Sequence, residues 1–299
     1  MKLHSIRNRF GFPALLLAFG FASIAGARAQ QGSSGPSSPP SLRRPADQQQ
    51  QQTNPSAPGQ APQTVPAAPG GQPEVAKVNP QEEADYKALF ETKEPGLKIQ
   101  LGQDFLQKYP TSRYTQDVYE QLVKAYSAKA DWNDFFAVAR KALANDPDDA
   151  DVLVYVGWVI PHIYDPKDPN ANEKLNAAEI YEKSALEIIP KVTNNGAMPD
   201  DQFAAGKAAL LAEAHSGLGM VAFRRGNNED CVKELQQAIQ DAASPDPTDY
   251  YVMGLALEQL KNFPEAADSL GKCSSIPGAV ADRCKQAADR VHNETPQPK

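Results

Sequence analysis

Between residues 79 and 292, apolar positions recur at the three- and four-residue spacing of amphipathic helices. No stretch in this region alternates apolar and polar residues in the way that a half-buried strand does. Asn79 and Pro80 provide a helix cap and a first turn, with two acidic residues, Glu82 and Glu83, close behind. The pattern predicts an all-α domain that begins near residue 80.

The helical pattern is itself repeated along the chain. Each copy has three characteristic positions. The first is a larger apolar residue, the second is the next residue and is glycine in three of the four copies, and the third lies three residues after the second. The first position is 34 residues apart in the first two copies and 35 apart in the last two. The three columns are Leu122, Val156, Leu218 and Met253; Val123, Gly157, Gly219 and Gly254; and Tyr126, Ile160, Ala222 and Leu257. The matching second helices carry Phe135, Ala139 and Ala142; Ala178 and Ala185; Cys231, Leu235 and Ala238; and Ala266, Leu270 and Cys273.

These columns resemble the tetratricopeptide repeat (TPR), whose first helix follows W-x2-L-G-x2-Y and whose second follows A-x3-F-x2-A. The resemblance implies a right-handed superhelix of helix pairs that bury a continuous core only when several stack. Three positions depart from the pattern: Val123 replaces a glycine, Glu182 stands where an aromatic is expected, and His215 takes the tryptophan position.

The register divides the repeat domain, residues 80–292, into six parts. We expect a divergent helix pair, four repeats and a last helix with a polar outer face that caps the stack. Their bounds are about 80–110, 116–149, 150–190, 199–246, 247–278 and 280–292.

The third helix pair, residues 150–190, carries nine extra residues between its two helices, since 28 positions separate Gly157 from Ala185 where uninterrupted repeats use 19. Pro161 is expected to bend or end the first helix, and two Asp-Pro pairs to set turns within the insertion, residues 161–174. Two interpretations of this insertion as a metal-binding site compete with a purely structural role. The residues Asp168, Asn170, Asn172 and Glu179 follow the ligand spacing of a calcium loop without its glycine, and His162 with Asp165 makes only two ligands. We expect a structural insertion and no metal.

The resemblance also implies a concave groove lined by the first helices, in which such repeats bind peptides or helices. Its middle is apolar and aromatic, which suits anchor residues or an amphipathic helix. Alternatively, a long helix between residues 199 and 225 folds over this face and makes Trp158 and Phe223 core residues. The groove positions are Glu120, Lys124, Val154, Trp158, His162, Ser216, Met220, Phe223, Arg224, Tyr251, Leu255 and Gln259.

The first 79 residues have a different character. Residues 1–29 combine a basic start, an apolar stretch and a small-residue site, which is typical of a signal peptide cleaved after Ala29. Residues 30–79 are rich in Pro, Gln, Gly and Ser, a composition that predicts a disordered linker. A disordered tail is expected at 293–299. We therefore expect export, to the periplasm or the extracellular space.

The acidic net charge and the absence of enzyme motifs reduce the number of functions that this chain is expected to have. The mature chain would hold 26 basic and 37 acidic residues, which argues against nucleic acid or an anionic membrane as a partner. No motif of a hydrolase, a phosphate-binding loop or a dinucleotide site is present. We expect a non-enzymatic scaffold that binds a protein or peptide of the bacterial cell envelope. It should need no cofactor and should not be inserted in the membrane after cleavage of the signal peptide. Homo-oligomerisation is compatible with this expectation. The segment at residues 105–126 also resembles periplasmic assembly factors for outer-membrane or cell-division proteins.

The three cysteines all lie in the last third of the chain. By repeat register, Cys273 ends the second helix of the fourth repeat and Cys284 lies early on the neighbouring last helix. Export would place both in an oxidising compartment, so we predict a Cys273–Cys284 disulfide. Cys231 replaces a buried alanine and is expected to be an inert core thiol.

Overall fold

The computed structural model describes residues 79–194 and 199–294, and this part of the chain is all-α, without strands. The predicted signal peptide, almost all of the linker and most of the tail lie outside the described residues. A short 3-10 helix, Ile189–Lys191, follows the sixth helix. The helices are α1 Pro80–Glu91, α2 Pro95–Lys108, α3 Thr115–Ala128, α4 Trp132–Asn145, α5 Ala150–His162, α6 Ala171–Ile188, α7 Asp200–Arg224, α8 Asn228–Asp241, α9 Pro247–Gln259, α10 Phe263–Ser275 and α11 Ala281–Glu294.

Three helix pairs are joined by the same tight turn, which shows that the repeat exists in the backbone as well as in the sequence. The middle residue of each turn has a left-handed φ: 53° at Ala130, 76° at Gly226 and 60° at Lys261. The next residue donates its N–H to the carbonyl five positions earlier: Asp131 to Tyr126, Asn227 to Ala222 and Asn262 to Leu257. Such a short turn ends one helix and lets the next fold back antiparallel.

The predicted small and large columns are complementary at each helix crossing. A Cβ on Gly219 would lie 2.6 Å from the Leu235 side chain, and a Cβ on Gly254 the same distance from Leu270. In the α3–α4 pair the sizes are exchanged, with the larger Val123 on α3 and the smaller Ala139 on α4, both buried. The helix pairs, their turns and their crossings make this chain TPR-like in architecture.

The insertion in the third helix pair forms a loop in which the side chains of Asp165 and Asp168 accept backbone hydrogen bonds. Pro161 lies in the last turn of α5, which ends one residue later, as predicted. Asp168 accepts hydrogen bonds from the backbone of Asn170 at 2.8 Å and from the Lys174 ammonium, while Glu179 accepts from Lys183 and from Arg225. Both carboxylates of the calcium-like spacing are thus already neutralised by cations, and Glu179 lies on α6. This geometry favours the structural insertion.

Neighbouring first helices are joined by acidic residues near their N-termini. Tyr86 donates to Asp117, Gln116 to Asp149, and Ser216 to Asp249 at 2.6 Å. Asp149 also caps α5 by accepting from the backbone of Val152. Burial raises the pKa of Asp149 to about 6, and the neighbouring charge of Asp151 adds to the effect.

Asp149 should make stability fall as pH rises. Its carboxyl keeps its proton to a higher pH in the folded chain than in the unfolded one, so this contribution is complete below pH ~4 and is lost through pH ~6. The variant Asp149→Asn keeps the cap but does not titrate. We expect the difference in the free energy of unfolding between this variant and the wild type to shift by roughly 2 kcal/mol in favour of the variant from pH 4 to pH 7.5. Urea unfolding at both pH values measures this difference. The exposed Asp148→Asn should show no such change, and an equal difference at both pH values would contradict the expectation.

Candidate peptide-binding face

The predicted groove positions lie on four first helices, α3, α5, α7 and α9, but not all of them reach the surface. Trp158, Phe223, Tyr251 and Leu255 are partly exposed and also pack against the cores. Lys124 and Arg224 are partly exposed as well, and Gln259 is exposed. The buried ones are Glu120, Val154, His162, Ser216 and Met220.

The length of α7 explains the burial of Val154. Its 25 residues run past α5 and reach the end of α6, where Leu210 and Ala214 pack with Val154 and Ile189. Lys207 ties the first half of α7 to this end by donating to the carbonyls of Pro190 and Val192. The helix therefore covers the face around Val154, while Trp158 and Phe223 remain partly accessible.

Trp158 is held rigidly at the end of α5. Its indole stacks on His162 with ring centroids 3.8 Å apart, and His162 Nδ1 donates to the Trp158 carbonyl oxygen at 2.6 Å. Burial lowers the pKa of His162 to about 4, so the imidazole is neutral at physiological pH. Arg224 donates to the Pro161 carbonyl at 2.9 Å and lies over the ring of Tyr164, which joins α7 to the end of α5.

Tyr251 and Leu255 form the C-terminal end of the face. They lie one turn apart on α9 and pack against the second core cluster. Burial raises the pKa of Tyr251, while the nearby charges of Arg283 and Arg290 on α11 oppose that rise. Arg290 is itself bound to Glu258 by two hydrogen bonds of 2.6 Å. An apolar anchor site close to two arginines of α11 is therefore present at this end.

We define the anchor face as the four partly exposed side chains Trp158, Phe223, Tyr251 and Leu255, which lie on α5, α7 and α9. Register alone identified these positions. It did not identify the five buried ones as interior, because neither the reach of α7 nor the acidic contacts between first helices belong to the repeat pattern.

The described part of the chain shows neither a group of potential metal ligands nor a helix that could span a membrane. Within it, no three potential ligand side chains of His, Cys, Asp or Glu are grouped as a metal site. His215 lies instead in an ion-pair geometry with Glu234, 2.7 Å away. Among residues 79–194 and 199–294, no helix has the length and apolar character needed to cross a membrane.

Comparison with known proteins gives structural neighbours only. No protein-family model matches the chain, and neither does any curated protein. A thermophilic TPR protein of Thermus thermophilus is similar over 71% of this chain and 97% of its own, at 13% identity and a TM-score of 0.46. A tetratricopeptide repeat protein of Parabacteroides merdae matches 72% of this chain and 100% of its own, at 12% identity and a TM-score of 0.27. The TPR-like assignment rests on the turns and crossings described above.

Proposed function

We propose that this chain is a non-enzymatic protein-interaction scaffold that binds a peptide or an amphipathic helix along the anchor face. The observation that carries the proposal is the row of partly exposed aromatic side chains on three successive first helices. Aromatic anchors fixed on a rigid scaffold contribute large contact area at little entropic cost, which is typical of interface hot spots.

The contacts around the anchors support a binding role. His162 and Arg224 fix Trp158 and the ends of α5 and α7, so little order would have to be gained on binding. Neutral His162 adds no charge beside Trp158, and the partly exposed Trp158 and Phe223 suit a partner that inserts apolar side chains. A ligand helix would place its i, i+3 and i+4 residues on the anchors.

The cellular setting of this scaffold belongs to the proposal too. The signal-like residues 1–29 and the Pro- and Gln-rich linker support export and a tethered domain in the cell envelope. Within that setting, a periplasmic assembly factor for outer-membrane or cell-division proteins is the more specific alternative. The resemblance of residues 105–126 to such factors favours it, and the identity of a captured partner would distinguish the two.

Binding at the anchor face can be tested by photo-crosslinking and by alanine substitution of its side chains. We expect a photo-crosslinker at Gln259, beside Leu255, to capture a partner from envelope extract with the mature chain, residues 30–299. The double variant Tyr251→Ala/Leu255→Ala should then bind the purified partner about 30-fold more weakly in a titration, because removal of a hot spot costs about 2 kcal/mol.

The matched control is Ile180→Ala. Ile180 is a 62% exposed apolar side chain on α6, a second helix, and so lies outside the anchor face. Circular dichroism melts must show that all variants stay folded. Equal affinity of the double variant and the wild type would refute the anchor face, and capture of a second copy of the chain would make it a self-association surface.

A further inference from the structure

Glu182 places a carboxyl group where the other repeats place an apolar side chain. It lies on α6 at the position of Leu235 on α8 and Leu270 on α10, and its exposed fraction is 0%. Neither of its carboxyl oxygens has a hydrogen-bond partner within the described residues. Burial of an unpartnered carboxyl group costs far more free energy when the group is ionised than when it is neutral.

Two glycines from neighbouring helices close around this carboxyl. A Cβ on Gly157 of α5 would lie 2.6 Å from Oε1 of Glu182, and a Cβ on Gly217 of α7 only 2.0 Å from it. The side chain is therefore enclosed where three helices meet: α5, α6 and α7. We call this meeting point the Glu182 junction.

The charges around the junction do not compensate an ionised carboxylate. On α7, the charge of Glu213 acts on Glu182 and has the same sign. The charged and titratable groups of α5 are Asp151, Tyr155 and His162, and the first and last of them lie six residues before and five after Gly157, about 9 Å and 8 Å along the helix. His215 of α7, two residues before Gly217, pairs with Glu234 of α8 at 2.7 Å. On α6 itself, the neighbouring Lys183 pairs with Glu179.

We infer that Glu182 is a proton-dependent lock, whose neutral carboxyl lets α5 and α7 close on the junction and whose ionisation releases them. Burial, assisted by the charge of Glu213, raises the pKa of Glu182 well above its ordinary range. In an opened junction the carboxyl is hydrated and ionises near its ordinary pKa. Between these two pKa values, each unit of pH favours the open form about tenfold.

The lock goes beyond the proposed scaffold function, because it would make the anchor face sensitive to pH. Trp158 follows Gly157 directly on α5, and Phe223 lies on α7, so opening the junction separates two of the four anchors. The lock is closed under mildly acidic conditions and loosens as the pH rises.

Hydrogen exchange across pH tests the lock on the mature chain. We expect protection factors of buried α6 amides, corrected for intrinsic exchange rates, to fall about tenfold per pH unit between pH 5.5 and 7.5. Glu182→Gln and Glu182→Leu should remove the contribution of Glu182 to this fall in protection. Leucine is a suitable replacement because it already occupies the equivalent site in α8 and α10. The exposed Glu187→Gln, on the same helix, should keep the wild-type profile.

A second variant separates the lock from other buried acids. Asp149 and Asp249 titrate in every variant, so the readout is the difference from the wild type. Glu213→Gln removes the repelling charge and should reduce the fall in α6 protection without abolishing it. Identical pH profiles for the wild type and both Glu182 variants would overturn the inference, whereas a smaller pH dependence of α6 protection in both variants than in the wild type would support it.

Discussion

Replacing Gly217 with alanine is expected to lower the free energy of unfolding by about 3 kcal/mol, because the added methyl group has no space at the Glu182 junction. The new Cβ would lie 2.0 Å from Oε1 and 2.7 Å from the carboxyl carbon of Glu182. Glu182 is fully enclosed and has little room to move aside. Urea unfolding at pH 6, followed by circular dichroism, measures the loss.

Gly271→Ala is the matched control for this substitution. Gly271 also lies within a helix, α10, but it is exposed and a Cβ there meets nothing within 4 Å. Alanine should stabilise that helix by up to about 1 kcal/mol, since it has the higher helix propensity. The opposite signs of the two glycine substitutions would separate packing from propensity.

A double-mutant cycle shows whether Glu182 is the cause. Glu182→Ala empties the space that the new methyl group needs, so Gly217→Ala should cost much less in that background. We expect a coupling energy of about 1 to 3 kcal/mol. Additive losses in the double variant would contradict the packing described for this junction.

The helix pairs could be predicted from sequence because their causes are local and repeated. The size columns at Gly219 and Gly254 recur at fixed spacing, and each has its partner leucine on the following helix. The cap of α1 by Asn79, whose side chain accepts from the backbone of Gln81, follows from adjacent residues. Patterns of this kind need no knowledge of distant contacts.

The candidate face was harder to predict because accessibility depends on neighbours outside each repeat. Val154 and Met220 occupy groove positions by register, yet other helices bury them. Ser216 and Glu120 are polar positions that the interior also accommodates; Ser216 does so by donating to Asp249. Periodicity shows which side of a helix a residue occupies, but not whether another helix covers it.

Glu182 shows a different limit of sequence analysis. Its departure from the repeat pattern is visible in the sequence, but the sequence does not show whether such a residue is exposed, paired or enclosed. Only the approach of Gly157 and Gly217 from two other helices reveals that the carboxyl is enclosed. A polar residue in an apolar column is therefore a signal that needs the structure for its interpretation.

The disulfide was predicted from register and is present in the structure between Cys273 on α10 and Cys284 on α11. It joins α11, the cap, to the last helix pair. Buried contacts of Ala287 and Val291 and the bidentate pair between Arg290 and Glu258 also hold α11. A helix of 14 residues is marginal alone in water, so its order depends on these attachments.

Removal of the disulfide through Cys273→Ala/Cys284→Ala should lower the free energy of unfolding by about 3 kcal/mol, the usual effect of freeing a loop of this length. Alanine is the residue of the same column in three other second helices, Ala142, Ala185 and Ala238, so little packing is lost at Cys273. Hydrogen exchange should show α11 losing protection before the other helices.

A reducing agent should reproduce this loss in the wild type and leave the double variant unchanged. Cys231→Ala serves as the control, because its thiol is buried on α8 and burial raises its pKa to about 12, which makes it unreactive. That variant should respond to the reducing agent as the wild type does. If the double variant kept wild-type stability and α11 kept its protection, then apolar packing and the Arg290–Glu258 pair alone would hold the cap, and the disulfide would not be required for it.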